Sequence, residues 1–194
     1  MPILERTVKS GIPFVPVSDA FALNIGQSAG GGVSQVETWL PIHKTTLNLV
    51  NAVVPVVDTG GAAGGQGSLK IYDWPEGSLI LVGALYNLAI TRLGTNITAT
   101  AAVVGSLGTV APGAGDAALT GTEANIIPST AGTLTGGVGT LKSFNAAPAA
   151  PFDGTTTPVD VLLNIAVPDA GITANDSFSV TGTVVILWSD IGDY

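Results

Sequence analysis

The chain has no cysteine, one histidine and one methionine, and only 10% of its 194 residues are charged. A typical soluble domain carries roughly 25% charged residues. One histidine and no thiol exclude a zinc finger, a Cys or Cys/His metal cage and a thiol enzyme. They also argue against metal-dependent cupin-type jelly rolls, which gather several imidazoles on one ion. Six Lys plus Arg face 14 Asp plus Glu, a net charge of −8. That is the wrong sign for a nucleic-acid binder. Aromatics are 6% of the chain, too few for a dedicated carbohydrate-binding face. Long apolar runs are missing as well. The stretch 93–115 is uncharged and long enough to span a bilayer, but five Gly, a Pro, an Asn and four Thr interrupt it. The basic and acidic residues Glu5, Arg6 and Lys9 are followed by no apolar core of a secretory signal. The expectation is a protein with no membrane partner and no nucleic-acid partner.

What is present is small and β-branched. The chain is 46% apolar, with 26 Gly and 12 Pro, enough to bury a core in one domain. Period-2 patterns dominate. In 78–92 the even positions Ile80, Val82, Ala84, Tyr86, Leu88 and Ile90 read as an apolar face, with Lys70, Ile71 and Tyr72 as a hairpin partner across the turn 73–77. Val159, Val161, Leu163, Ile165 and Val167 alternate in a second strand. Phe178, Val180, Val184, Ile186 and Trp188 line a third, with Gly182 at a bulge. Its other face turns from Ser179, Thr181 and Thr183 to Val185 and Leu187, as if an arm or neighbouring subunit covered that half. Strands at 45–57 (bent or placed at an edge by Pro55), 37–42, 14–25 and 95–104 complete the set. The fold class expected is all-β, an antiparallel β-sandwich of jelly-roll type, with strand order left open. Residues 1–17 read as an extended N-terminal arm and 18–194 as a single domain. Residues 60–67 read as a flexible glycine loop.

The Gly/Ala/Thr-rich stretch 105–151 is too long for a structureless loop. Either it holds short strands and a helical turn at Thr122–Asn125, or it is an excursion packed on another chain. Ile126, Ile127 and Leu134 argue against disorder.

Chemistry is sparse. His43 would need a nucleophile and an orienting carboxylate to act as a base; a surface or interface histidine is the simpler reading. Glu37, Asp73, Glu76, Asp160 and Asp176 are candidates for a paired-carboxylate hydrolase, yet no spacing singles out a pair. Asp169, Asn175 and Asp176 offer oxygens to calcium without the alternating pattern of an EF-hand; an Asx-type turn accounts for them. Gly61–Gly67 lacks the Lys-Ser/Thr of a phosphate loop. Trp74 in Asp-Trp-Pro-Glu would be exposed for stacking on a sugar or partner, and Trp188 would pack in the core or an interface. The expectation is no enzyme and no cofactor.

The stretch Ala102–Leu134 (AVVGSLGTVAPGAGDAALTGTEANIIPSTAGTL) resembles segments of structural proteins of tailed bacteriophages, notably marine and cyanobacterial ones. Phe152–Asp176 (FDGTTTPVDVLLNIAVPDAGITAND) is similar to their C-terminal part. The resemblance covers roughly the second half of the chain and rests on short phrases. It implies a virion component, a capsid decoration (cement) protein on the capsid exterior, assembled in the host bacterial cytoplasm. Its partners would be the major capsid protein and itself, as a trimer or dimer. The contacts expected are Arg6, Lys9 and Phe14 in the arm, with Trp74, Ile126 and Ile127. The other reading is a phage fibre or receptor-binding module that recognises a host surface glycan through exposed aromatics such as Trp74.

Overall fold

The computed structural model describes residues 27–28, 32–38, 42–60, 64–115, 118–143 and 151–192. The expected arm 1–17, and with it Arg6, Lys9 and Phe14, lies outside the described residues, as does the strand expected at 14–25. The strands are β1 (Gln27–Ser28), β2 (Val33–Thr38), β3 (His43–Asp58), β4 (Gly65–Asp73), β5 (Gly77–Arg92), β6 (Ala102–Gly108), β7 (Ile127–Thr133), β8 (Val138–Ser143), β9 (Pro151–Gly154), β10 (Asp160–Val167) and β11 (Asp176–Gly192). Every pairing is antiparallel. Among the described residues there is no α-helix, only 3-10 turns at Thr122–Ala124 and Asp169–Gly171.

Hydrogen bonds link eight of the strands in one path, β7-β6-β10-β4-β3-β11-β5-β8, with β1 added beside β4, β2 beside β3 and β9 beside β5. The path folds over between β4 and β3, which share only the rungs from Val56–Gly67 to Asp58–Gly65. It therefore makes two layers: a back sheet β7-β6-β10-β4 and a front sheet β3-β11-β5-β8. Numbered along the chain from β3 and leaving out the short β9, the front layer holds the first, eighth, third and sixth strands, and the back layer the fifth, fourth, seventh and second. That is the jelly-roll order. Its far ends meet in a two-residue hairpin, where Thr135 and Val138 exchange backbone hydrogen bonds across Gly136 and Gly137. Both glycines have positive φ, +65° and +89°, as a type I′ turn requires.

Several strands depart from simple alternation. In β5 the inward residues are Leu79 and Leu81, then Ala84, Tyr86, Leu88 and Ile90; Ile80 and Val82 point outward. A bulge is the cause: Trp188 faces Leu81 while Leu187 faces Gly83, so the extra residue Val82 reverses the faces. The even-numbered face expected for 78–92 thus holds only from Ala84 onward. A second irregularity lies near Gly182, but its extra residue is on β3. Val180 pairs with Ala52 and Gly182 with Leu49, leaving Val50 and Asn51 opposite Thr181. Asn51 adopts φ 53° there, and its backbone N–H donates to Thr181 Oγ1 at 3.0 Å. Pro55 sits where β3 pairs with β11 alone, since the pairing with β2 reaches only to Leu49 and that with β4 only to Val56.

The turn 73–77 is not a hairpin. It carries the chain from the back sheet to the front one, because β4 pairs with β10 and β3, and β5 with β11, β8 and β9. Gly65, Gln66 and Gly67, expected in a flexible loop, are strand residues; at Gly67 a Cβ would lie 2.0 Å from the Pro55 carbonyl oxygen. The strand expected at 95–104 begins only at Ala102. Within 105–151, β7, β8 and the 3-10 turn at Thr122–Ala124 are formed.

The core lies between the layers. Trp188, Phe178, Tyr86, Leu88 and Ile90 face inward from the front, and Tyr72, Leu163, Ile165, Leu107 and Ile127 from the back. Each such aliphatic side chain contributes about 1.5–3 kcal/mol on burial. Two polar ties cross the core. The Tyr86 hydroxyl donates to the Gly105 carbonyl at 2.9 Å, and burial raises its pKa. The Trp188 indole N–H donates to Thr45 Oγ1 at 2.8 Å, and the Thr45 hydroxyl donates to Tyr72 at 3.3 Å.

Candidate interaction surface

Each sheet has an outer face, and the two are finished differently. On the back, a polar row crosses three strands at one register: Ser106 on β6, Asn164 on β10 and Ser68 on β4. The described residues of 109–125, at 109–115 and 118–125, form a strap that lies over part of it. Asn164 Nδ2 donates to the Val110 and Glu123 carbonyls at 3.0 and 2.8 Å, and Ser106 Oγ donates to Glu123 O at 2.7 Å. Asn164 is 0% exposed. Gly108 allows the close approach, since a Cβ there would lie 2.2 Å from the Glu123 carbonyl carbon. These residues were missed in the sequence; a lone Asn amid the apolar run Val161–Val167 was the available signal.

On the front no described segment covers the corresponding surface. Ile80 and Val82 are 37% and 43% exposed, and Leu85, Val185 and Leu187 beside them are half-buried. A belt of amides and hydroxyls follows along the sheet, in which Thr183 donates to Asn48 and both Ser179 and Thr181 donate to Asn51 Oδ1. Beyond it, Val53 and Val57 are again exposed. The described charges on this face are Lys44, Lys142 and Asp153, and Asp153 is engaged by the Thr155 hydroxyl and N–H. The face is therefore weakly charged and apolar at both ends.

The expected contact residues lie elsewhere. Trp74 is 1% exposed; its ring stacks on Phe152 at 5.3 Å and meets Tyr72 edge-on at 6.4 Å. The corner between the sheets folds it inward, so it offers no platform to a sugar. Ile126 and Ile127 are fully buried, closing the core beneath the strap, with Ile127 opposite Leu107. None of the three presents surface to a partner.

The candidate catalytic groups do not assemble into a cleft. Asp73 and Asp160 do come together, directly opposite on β4 and β10. Both hold Lys70, at 3.1 and 2.7 Å, and all three side chains are about two-fifths exposed. The hydrogen bond to Asp160 is the largest influence and raises the Lys70 pKa; burial opposes it, and the Asp73 bond adds to the net upward shift. Such exposed pairs contribute about 0.2–1 kcal/mol each. Glu76 is exposed in the corner, and Glu37 lies on β2 with its side chain outside the described residues.

His43 is buried and stacked on Trp188, ring centroids 4.3 Å apart and planes 13° from parallel. Burial lowers its pKa, against a smaller raising effect from Asp190. The oxygens considered for calcium are in use. Asp176 accepts backbone N–H groups of Gly94, Ile97 and Ser177 at 2.8–2.9 Å, and Asn175 Oδ1 accepts that of Asp58. Burial alone would raise the Asp176 pKa, but these bonds outweigh it and the net shift is downward. The Asp169 side chain is outside the described residues. Among the described residues no group of three or more His, Asp or Glu could hold a metal, and no helix is long and apolar enough to cross a membrane.

No family model matches the chain, and no curated protein matches it. Among solved structures, a family two carbohydrate esterase from Cellvibrio japonicus aligns over 86% of this chain at 8% identity and a TM-score of 0.27. The alignment covers 35% of that esterase, and a likeness at this level carries no argument about chemistry.

Proposed function

We propose that this chain is a non-enzymatic assembly subunit, a capsid decoration protein that binds the outer shell of a tailed bacteriophage and stabilises capsomer contacts. The observation that carries the reading is the front face that no described segment covers, with Ile80 and Val82 exposed beside Val185 and Leu187. Contiguous exposed apolar surface on a stable fold marks a place where another protein sits. The resemblance of Ala102–Leu134 and Phe152–Asp176 to phage structural proteins supplies the kind of assembly. The acidic balance suits the capsid exterior, away from packaged DNA. The shell protein would cover the front face, and self-association as a trimer or dimer would place copies around a symmetry axis. The fibre reading loses the one aromatic named for it, because the Trp74 indole is buried.

The test is binding of the purified chain to mature capsids that lack it, read by co-sedimentation and by the temperature at which the particles rupture. Saturable binding at hundreds of copies per particle and a higher rupture temperature are expected. A monomer that leaves capsids unbound, or a stoichiometry of a few tens, would overturn the reading.

A further inference from the structure

The back face holds three buried oxygens with no hydrogen-bond partner in the protein: Asn164 Oδ1, Ser68 Oγ and Gln66 Oε1. Asn164 and Ser68 are directly opposite across β10 and β4, and Gln66 lies on the next rung of the same face, opposite Ala166. Opposite side chains on one sheet face have Cβ atoms about 5 Å apart, and diagonal ones about 7–8 Å, so one small occupant can reach all three. The Asn164 amide is oriented by its two Nδ2 bonds to the strap, which leaves Oδ1 as the free acceptor. Asn164 is wholly buried and Gln66 is 8% exposed. Ala166 beside them is fully buried and contributes only a methyl group.

We propose that this seam between β10 and β4 binds ordered water, which donates to Asn164 Oδ1 and Gln66 Oε1 and exchanges hydrogen bonds with Ser68 Oγ. Buried native polar atoms are satisfied by protein or by water, and an internal water makes about three such bonds. A cation fits the seam less well. The three oxygens are neutral, the Glu123 carboxylate is turned to the Gly121 N–H, and the Lys70 ammonium is two residues along β4 on the same face. The water completes the polar row on which the 109–125 strap lies, so strap and water form one hydrogen-bonded unit.

The experiment is oxygen-17 magnetic relaxation dispersion of water on the full chain, which counts long-lived internal waters, compared with the Ser68→Ala/Gln66→Met double variant. The expected result is a loss of dispersion amplitude in a variant that still melts cooperatively. Unchanged amplitude in a folded variant would overturn the site. Should the double variant fail to fold, Ser68→Ala alone removes one hydroxyl and is expected to shorten the water residence time; an unchanged residence time refutes the proposal. Thermal melts with sodium or calcium chloride form a second arm. A rise in melting temperature that Ser68→Ala abolishes would identify a cation as the occupant and overturn water.

Discussion

The back and front faces of this jelly roll present a contrast between a surface finished from within and one left open. Both are outer faces of antiparallel layers whose inward residues are apolar, but the outward residues differ, a polar row on the back and apolar ends on the front. The back closes over Asn164 and Ser106 with carbonyls of its own strap. The front leaves Ile80 and Val82 in solvent. A polar row can be covered by a local loop because backbone carbonyls satisfy it at short range. An apolar face gains little from a polar loop, so the front suits a partner instead.

The most severe way to break the contrast is Asn164→Leu, which leaves the Val110 and Glu123 carbonyls and Ser106 in a disturbed site. A loss of about 2–4 kcal/mol is expected, measured as a lower urea midpoint at unchanged m-value. A midpoint within error of wild type would show that the strap is not held by this row. Gly108→Ala pushes a methyl group into the Glu123 backbone and should cost about 1–3 kcal/mol. Faster hydrogen exchange at the Ile126 amide, which donates to Leu107 O, would locate the damage in the strap.

Acid sharpens the comparison, because the strap is held by neutral groups whereas the front sheet's ends carry His43 and Asp176. His43 has a lowered folded pKa, so below about pH 6.5 the unfolded chain binds a proton that the folded chain does not. Stability present above that pH is lost as pH falls toward the folded value. His43→Phe keeps a ring on Trp188 and should flatten this part of the pH–stability curve. Asp176 is also lowered, and its contribution is present above about pH 4 and lost as pH falls through the folded value. Asp176→Asn should remove that lower step; a persisting step would assign it to another carboxylate.

The smallest effect on stability is expected on the open face. Val82→Lys with Leu187→Lys should move the unfolding free energy by no more than about 0.5–1 kcal/mol, yet abolish the proposed capsid binding. Undiminished binding by the folded double variant would remove the front face from the proposed interface.

Much of the fold was legible because alternation is a local property of a strand. The inward sets Val159–Val167 and Phe178–Trp188 could be assigned from sequence, and all their members are buried except Val159, which precedes the strand and is half-buried. The faces of Leu79–Val82 were misread because a bulge is set by the partner strand: only the pairing of Trp188 with Leu81 reveals Val82 as the extra residue. Trp74 was misread for a related reason. Asp-Trp-Pro-Glu-Gly has the chemistry of an exposed turn, but here it joins two layers, and a side chain at such a corner can fall inside. The strap was half-visible, as a stretch too long to be structureless and containing a short helical turn, but its target on Asn164 was not.

The period-2 runs of Val, Ile and Leu, separated by Gly and Pro turns with no helical segments between them, determined by themselves the antiparallel β class, because a strand covered on one face alternates while a parallel sheet needs long crossovers. Which outer face would be closed was decided only by tertiary structure. That choice depends on strand order and register, which bring residues 164, 106 and 68 into one row and carry the 109–125 strap across it while leaving Ile80 and Val82 uncovered.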